Sequence, residues 1–199
     1  NLPLILEKAA RADAVLLGCG LGQSEELKSL VRELILQTEK PILVDADGIN
    51  LLAADINILS GASGRVVLTP HLGEMSRLSG LTVGQIAGDP VGAAQLFSQH
   101  YQVTLLLKGH NTILAAPDGR VMLNPTGGSG LAKAGSGDVL SGIIASLLAQ
   151  GIPPFESAVC GAYLHGWAAD LCCRERSVRG MMPSDLGEYL CRIFLTLDR

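Results

Sequence analysis

The sequence lacks the marks of several protein classes. No cluster of lysines and arginines is present: 15 basic residues stand against 19 acidic ones, for a net charge of −4. A nucleic-acid partner is therefore not expected. No apolar run reaches the roughly 18 residues of a membrane span, and no signal-peptide pattern is seen in the stretch given. No two of the five cysteines, Cys19, Cys160, Cys172, Cys173 and Cys191, form a CxxC pair, and their number is odd. Buried, reduced thiols are the expected state, which points to the cytoplasm. Aromatics make up only 4% of the chain. The P-loop pattern GxxxxGK[ST] is absent. The stretch opens on NLPLILEKAA, without Met, so the polypeptide is expected to begin further upstream.

What is present is apolar and aliphatic. Hydrophobic residues account for 48% and charged residues for 17%. Much of that is Ala, Leu, Ile and Val, which suits buried parallel strands covered by helices. Residues 4–12 read as a helix end and 13–18 as a short strand. Residues 24–38 read as a helix: Leu27, Leu30, Val31, Leu34 and Ile35 share one face, and Ser24 is a natural N-cap. Strands follow at 42–46 and 65–70, with a short helix after each, the second ending at Gly80. Residues 89–101 read as a helix and 103–109 as a strand. A hairpin is expected over 112–124 around Asp118-Gly119. Helices follow at 138–149, 155–175 and 184–196. The alternation predicts an α/β fold with a mainly parallel sheet in one domain, 1–199. No internal repeat or linker interrupts it.

Ligands of such sheets bind beyond the carboxyl ends of the strands. The loops there are Gly18–Gly22, Asp45–Asn50, Thr69–Glu74 and Lys108–Thr112, with Asn124–Asp138 opening a late helix. GCGLG is GxGxG, not the dinucleotide pattern GxGxxG, and reads equally as a tight turn or a close backbone approach. Asp45 and Asp47 could orient a hydroxyl or hold Mg²⁺ through water, or Asp47 could simply cap the short helix. His71 and Glu74 sit on a first helical turn. Lys108 leaves a buried strand and must snorkel out or meet an anion. His110 reads as exposed.

In LAKAGSGDVLSG, Gly135, Ser136 and Gly137 can present successive N–H groups to an anion, aided by the helix dipole. Asp138 beside such a cradle makes sense only if it faces an acceptor hydroxyl and not the phosphates. Cradle for the donor and carboxylate for the acceptor describe phosphoryl transfer to an alcohol.

GSGDVLSG resembles the GxGD signature of ribokinase-like enzymes. GCGLG, LVDADGIN, LTPHLGEMSRL, the long run from Leu105 to Gly151, GAYLHGWAADL and RGMMPSDL, in that order, resemble the ADP-dependent NAD(P)H-hydrate dehydratase family. The resemblance covers essentially the whole chain. It implies a three-layer α/β/α ribokinase-like fold whose amino-terminal strands are missing here. It implies a carbon–oxygen lyase that uses ADP to phosphorylate the S epimer of hydrated NADH or NADPH, then eliminates phosphate to leave NAD(P)H and AMP. Asp138 would be the base and Gly135, Ser136 and Gly137 the anion hole. Lys108, Gly109, His110, Asn111, Thr112 and Gly137 would contact the adenine nucleotide. Gly20, Gly22, His71 and Asp138 would contact the hydrated nicotinamide, and Asp47 and Glu74 would lie near the phosphates and Mg²⁺. Cys19 replaces the family's usual proline, and Ala134 a glycine whose φ could be positive. The alternatives are a ribokinase-like kinase of a vitamin precursor or sugar, and a nucleotide-binding fragment without turnover. Self-association, or association with a missing amino-terminal segment, is expected to cover the open sheet edge.

Overall fold

The structure is a computed structural model that describes residues 2–62 and 64–198. Helix α1 (Leu2–Arg11) leads into strand β1 (Val15–Leu17). Helix α2 (Glu25–Gln37) starts at Ser24, whose hydroxyl accepts from the Leu27 N–H as the sequence predicts. Strand β2 (Ile42–Val44), helix α3 (Ala46–Ala53), strand β3 (Val66–Leu68) and helix α4 (Leu72–Ser79) follow, and α4 ends on Gly80 in the left-handed region. Helices α5 (Val83–Gly88) and α6 (Pro90–Tyr101) precede strand β4 (Thr104–Leu107). The expected hairpin is β5 (Ile113–Ala115) and β6 (Val121–Leu123), turning at Asp118 and Gly119, where φ is +92°. The chain closes with α7 (Ser136–Ala149), α8 (Pro154–Gly180) and α9 (Leu186–Leu197). Helix α8 outruns its expected end at 175, but Ser177 is non-helical, so its regular part stops near the predicted place.

The strands form one sheet in the order β1-β2-β3-β4-β5-β6. The first four run parallel, and the hairpin adds two antiparallel strands at one end. The sheet is covered on both faces, because alternate side chains of a strand point oppositely. Ile42, Val44, Val66, Leu68, Leu105 and Leu107 join one cluster with residues of α2, α3, α4 and α6. Leu43, Val67, Leu106 and Leu114 join another with Leu140, Ile144, Leu148, Phe155 and Ala158 of α7 and α8. This is the three-layer α/β/α arrangement. The sequence reading missed α5, a short helix whose capping box pairs Thr82 with Gln85. At the open end of the sheet, Leu16 of β1 is partly exposed.

Candidate active site

The parallel strands end side by side. Backbone bonds carry the ladder past each end: the Asp45 N–H donates to the Leu17 carbonyl (3.1 Å), Thr69 to Val44 (3.3 Å) and Lys108 to Pro70 (2.7 Å). His71 and Lys108 are bridged in the same direction. The loops picked out in the sequence therefore meet along one edge. Gly18, at φ +124°, has to be glycine, because a Cβ there would lie 1.8 Å from the Asp45 carbonyl oxygen. That close approach brings GCGLG onto the loop after β2.

Asp45 is only 2% exposed, and three donors converge on it. Its Oδ1 accepts from Lys108 Nζ and from the Ala46 N–H, each at 2.8 Å, and its Oδ2 accepts from Ser141 Oγ at 2.7 Å. Asp45, not Asp47, is thus the N-cap of α3. Asp47 turns back instead: its carboxylate accepts from the Gly22 N–H (2.8 Å) and from Gln23 Nε2 (3.3 Å), tying the first loop to α3. The sequence reading left Lys108 to await an anion. The structure supplies one from within the protein, with a second carboxylate, Glu74, 4.0 Å away. Any phosphate drawn to Lys108 competes with both.

His71 is exposed, and its Nδ1 accepts from the N–H groups of Gly73 and Glu74 at 3.0 and 3.2 Å. Buried Glu74 returns a bond to the His71 N–H at 2.8 Å, completing a capping box. Among the described residues no group of three or more His, Cys, Asp or Glu side chains is placed to hold a metal ion. Asp47 and Glu74 therefore form no metal cage of their own. His110 and Asn111 are exposed, and Thr112 is half-buried.

Helix α7 begins at Gly135, where φ is +89°, and no side chain caps it. Ser136 gives its N–H to the Lys133 carbonyl (3.2 Å), and the Val139 N–H makes the first bond to Gly135 (3.1 Å). The N–H groups of Gly137 and Asp138 find no acceptor among the described residues. An uncapped helix start with free N–H groups attracts anions. The Ser136 hydroxyl is buried and also without a partner. Ala134 is not among the residues of positive φ, so its Cβ is tolerated where the family has glycine.

Asp138 is exposed on this first turn and lies near the Cys19 thiol of the Gly18–Gly22 loop. Burial, and then the hydrogen-bonding Asp138 carboxylate, push the Cys19 thiol up to about 12, so it stays protonated. The base predicted from GSGD and the loop predicted to hold substrate are thus neighbours, although 119 residues separate Cys19 from Asp138.

The sequence reading missed what holds this loop. Helix α8 grips it along one side. Thr126 Oγ1 donates to the Tyr163 carbonyl (2.9 Å), and the Gly127 N–H donates to Asp170 Oδ2 (3.0 Å). Lys133 Nζ donates to the carbonyls of Val178 and Arg179 (3.1 Å each) and to that of Met181. His165 contacts the Ser136 backbone, and burial pushes its pKa down to about 4. Polar residues within the apolar runs of 138–149 and 155–175 were the available signal: Ser141, His165 and Asp170 interrupt stretches that otherwise face the core.

A family model for NAD(P)H-hydrate dehydratase matches residues 2–192. The chain belongs to the NAD(P)H-hydrate dehydratase family. It is 44% identical over 169 residues to the ADP-dependent (S)-NAD(P)H-hydrate dehydratase of Neisseria meningitidis, covering 83% of this chain and 57% of that protein. Identity to the bifunctional NAD(P)H-hydrate repair enzyme Nnr of Moorella thermoacetica is 46% over 194 residues, covering 98% of this chain and 37% of that one. The chain thus spans less than two thirds of either relative. The ADP/ATP-dependent NAD(P)H-hydrate dehydratase of Bacillus subtilis, co-crystallised with ATP and Mg²⁺, superposes with a TM-score of 0.80 at 31% identity, covering 96% of this chain and 69% of that one. The ribokinase-like fold is shared with the solved neighbours.

Proposed function

We propose that this chain, as one dehydratase domain over 1–199, converts the S epimer of hydrated NADH or NADPH to NAD(P)H at the expense of ADP, yielding AMP and phosphate. The observation that carries the reading is the uncapped start of α7, with Asp138 beside it near the Cys19 thiol of the Gly18–Gly22 loop. The names of the relatives supply the substrate. The adenine nucleotide lies along Lys108–Thr112 with its terminal phosphoryl at Gly135–Gly137, on the free N–H groups that open α7 and not on that of Ser136, which Lys133 holds. The hydrated ring lies between Gly20, Gly22 and His71. Asp138 takes the proton of the ring hydroxyl, and the oxygen attacks the terminal phosphorus as AMP leaves with the bridging oxygen. The phosphate ester then departs as its C–O bond breaks and a proton leaves the neighbouring ring carbon, which restores the double bond.

Magnesium suits this site only as a companion of the nucleotide. The ion is commonly held by substrate phosphates with one or two carboxylates, and Asp47 and Glu74 are the carboxylates at hand. There it would neutralise phosphoryl charge. Of the five cysteines expected to be buried, only Cys172 is, and Cys160 and Cys191 are exposed; the thiols being free, together with the class of relative, favours a cytoplasmic location.

Incubation with ADP and hydrated NADH, followed at the absorbance of reduced nicotinamide, tests the reading. Recovery of NADH is expected, and Asp138→Asn is expected to lower kcat by about 10²–10⁴-fold, the range for losing a general base, with nucleotide affinity retained. ATP-dependent phosphorylation of a small alcohol without NADH recovery rejects the dehydratase in favour of a kinase. Nucleotide binding without any turnover makes the chain a binding module.

A further inference from the structure

Among the described residues, one buried carboxylate with three hydrogen-bond donors is not used by the proposed chemistry. Asp45 sits at the end of β2, away from solvent, and its two oxygens are divided between two elements. One oxygen holds Lys108 at the end of β4, and the other holds Ser141 on α7. Ser141 is fully buried and lies three residues beyond Asp138, one turn along the helix that carries the proposed base. The first turn itself rests against this pair: a Cβ on Gly137 would lie 3.7 Å from both Asp45 Oδ2 and Lys108 Nζ. No side chain caps the helix from in front. Its position relative to the sheet edge is therefore set from the side, by a hydroxyl bonded to a buried carboxylate.

The chemistry of the contact explains the residue types. An ionised carboxylate is acceptor-only with about four lone-pair sites, so it satisfies lysine, hydroxyl and backbone N–H together. Asparagine would keep the shape but leave Lys108 only the more distant Glu74 carboxylate, 4.0 Å away. Hydrogen bonds to charged groups are stronger and more directional than neutral ones, and a helix held by one cannot slide without costing the buried carboxylate one of its three donors.

We propose that Asp45, acting through Ser141, is a positioning residue that fixes the first turn of α7, and Asp138 with it, at a set offset from Lys108 and the strand ends. This rests on the reading of Asp138 as the base. Such a tie affects the transition state more than nucleotide binding, because phosphoryl transfer depends on alignment of the attacking oxygen.

The test centres on Ser141→Ala, which removes one of the three bonds to Asp45 and leaves Lys108 paired. Its kcat is expected to fall about tenfold, the worth of a hydrogen bond to a charged group, with KM for ADP changed less than about twofold. Ile35→Val, on the other face of the sheet, is the control for lost stability: at a similar drop in melting temperature it should keep its kcat. Asp45→Asn is expected to lower kcat further, and adding Ser141→Ala to it should cost nothing more. If Asp45→Asn does not fold, Ser141→Ala with its control decides alone. An unchanged kcat in Ser141→Ala, or an equal loss in Ile35→Val, overturns the proposal. A second readout is independent of turnover. Amide hydrogen exchange over 139–142, the first amides of α7 with helical acceptors, should quicken in Ser141→Ala while that of α9 stays the same. If the wild type shows no turnover, the dehydratase reading fails by itself, and exchange judges the tie: quickened exchange supports it and unchanged exchange overturns it.

Discussion

The two faces of the sheet are held by different means. On the α2–α6 face, large aliphatic side chains such as Ile35, Ile42, Leu59, Met75 and Ile86 are fully buried in one broad cluster. On the α7–α8 face, glycines let α8 come close to its neighbours. A Cβ on Gly161 would come within 2.5 Å of Ile144 Cγ1, and one on Gly166 within 2.3–2.7 Å of Thr126. Polar ties cross this face at Asp45–Ser141, Gly127–Asp170 and Thr126–Tyr163. Buried area stabilises without direction. Close backbone approach and hydrogen bonds to charged groups fix distances. The α2–α6 face has such ties too, since Ser98 of α6 donates to the Ala115 carbonyl (3.1 Å), but on the face that carries the proposed base a buried carboxylate, Asp45, takes part.

Four substitutions or conditions bear on this comparison. The largest effect on stability is expected on the area-driven face: Ile35→Ala should cost about 3–4 kcal/mol, read from denaturant midpoints, with nucleotide affinity kept. A loss of affinity as well would mean the faces are not separable. Next comes acid. His165 is held near 4 when folded against an ordinary 6.5, so between those values the unfolded chain takes up a proton that the folded chain refuses. Stability is therefore full above pH 6.5 and falls by about 3 kcal/mol as pH drops toward 4. The slope in that window should be shallower in His165→Gln.

A smaller stability cost tests the close approach itself. Gly166→Ala presses on the Thr126 backbone, and overpacking of about 3 kcal/mol less about 1 kcal/mol of helix propensity leaves about 2 kcal/mol. Unlike Ile35→Ala, it should also lower kcat, because Thr126 belongs to the loop that opens α7. Retained kcat would break the link between packing and site. Smallest is Arg11→Ala: its contact with Glu7 is 3.9 Å between two exposed side chains, and the melting midpoint should not move measurably.

Local signals were legible wherever the responsible contact is itself local. The Ser24 cap, the Gly80 stop and the Asp118-Gly119 turn each depend on a few neighbouring residues, and each stands where the sequence placed it. The site was legible in part: the glycine-rich helix start, the loops at the strand ends and the prominence of Asp138 and Lys108. The state of Lys108 was not, because its partner Asp45 lies 63 residues away, and Ser141 lies 96 residues from that same carboxylate. Nor was the exchange of roles by which Asp45 caps α3 while Asp47 reaches Gly22. Helix α5 was missed because six residues with a single buried position, Ile86, carry too little periodicity.

By itself the sequence determined every strand and all α-helices but α5, the layered class, the family and the loop that opens α7. These follow from hydrophobic period, turn chemistry and motif order, all of which are written along the chain. Only the tertiary structure decided which carboxylate meets the lysine, which hydroxyl holds the helix and which thiol lies against the proposed base. Those pairings depend on how the strand ends align across the sheet, and that alignment arises from packing on both faces at once.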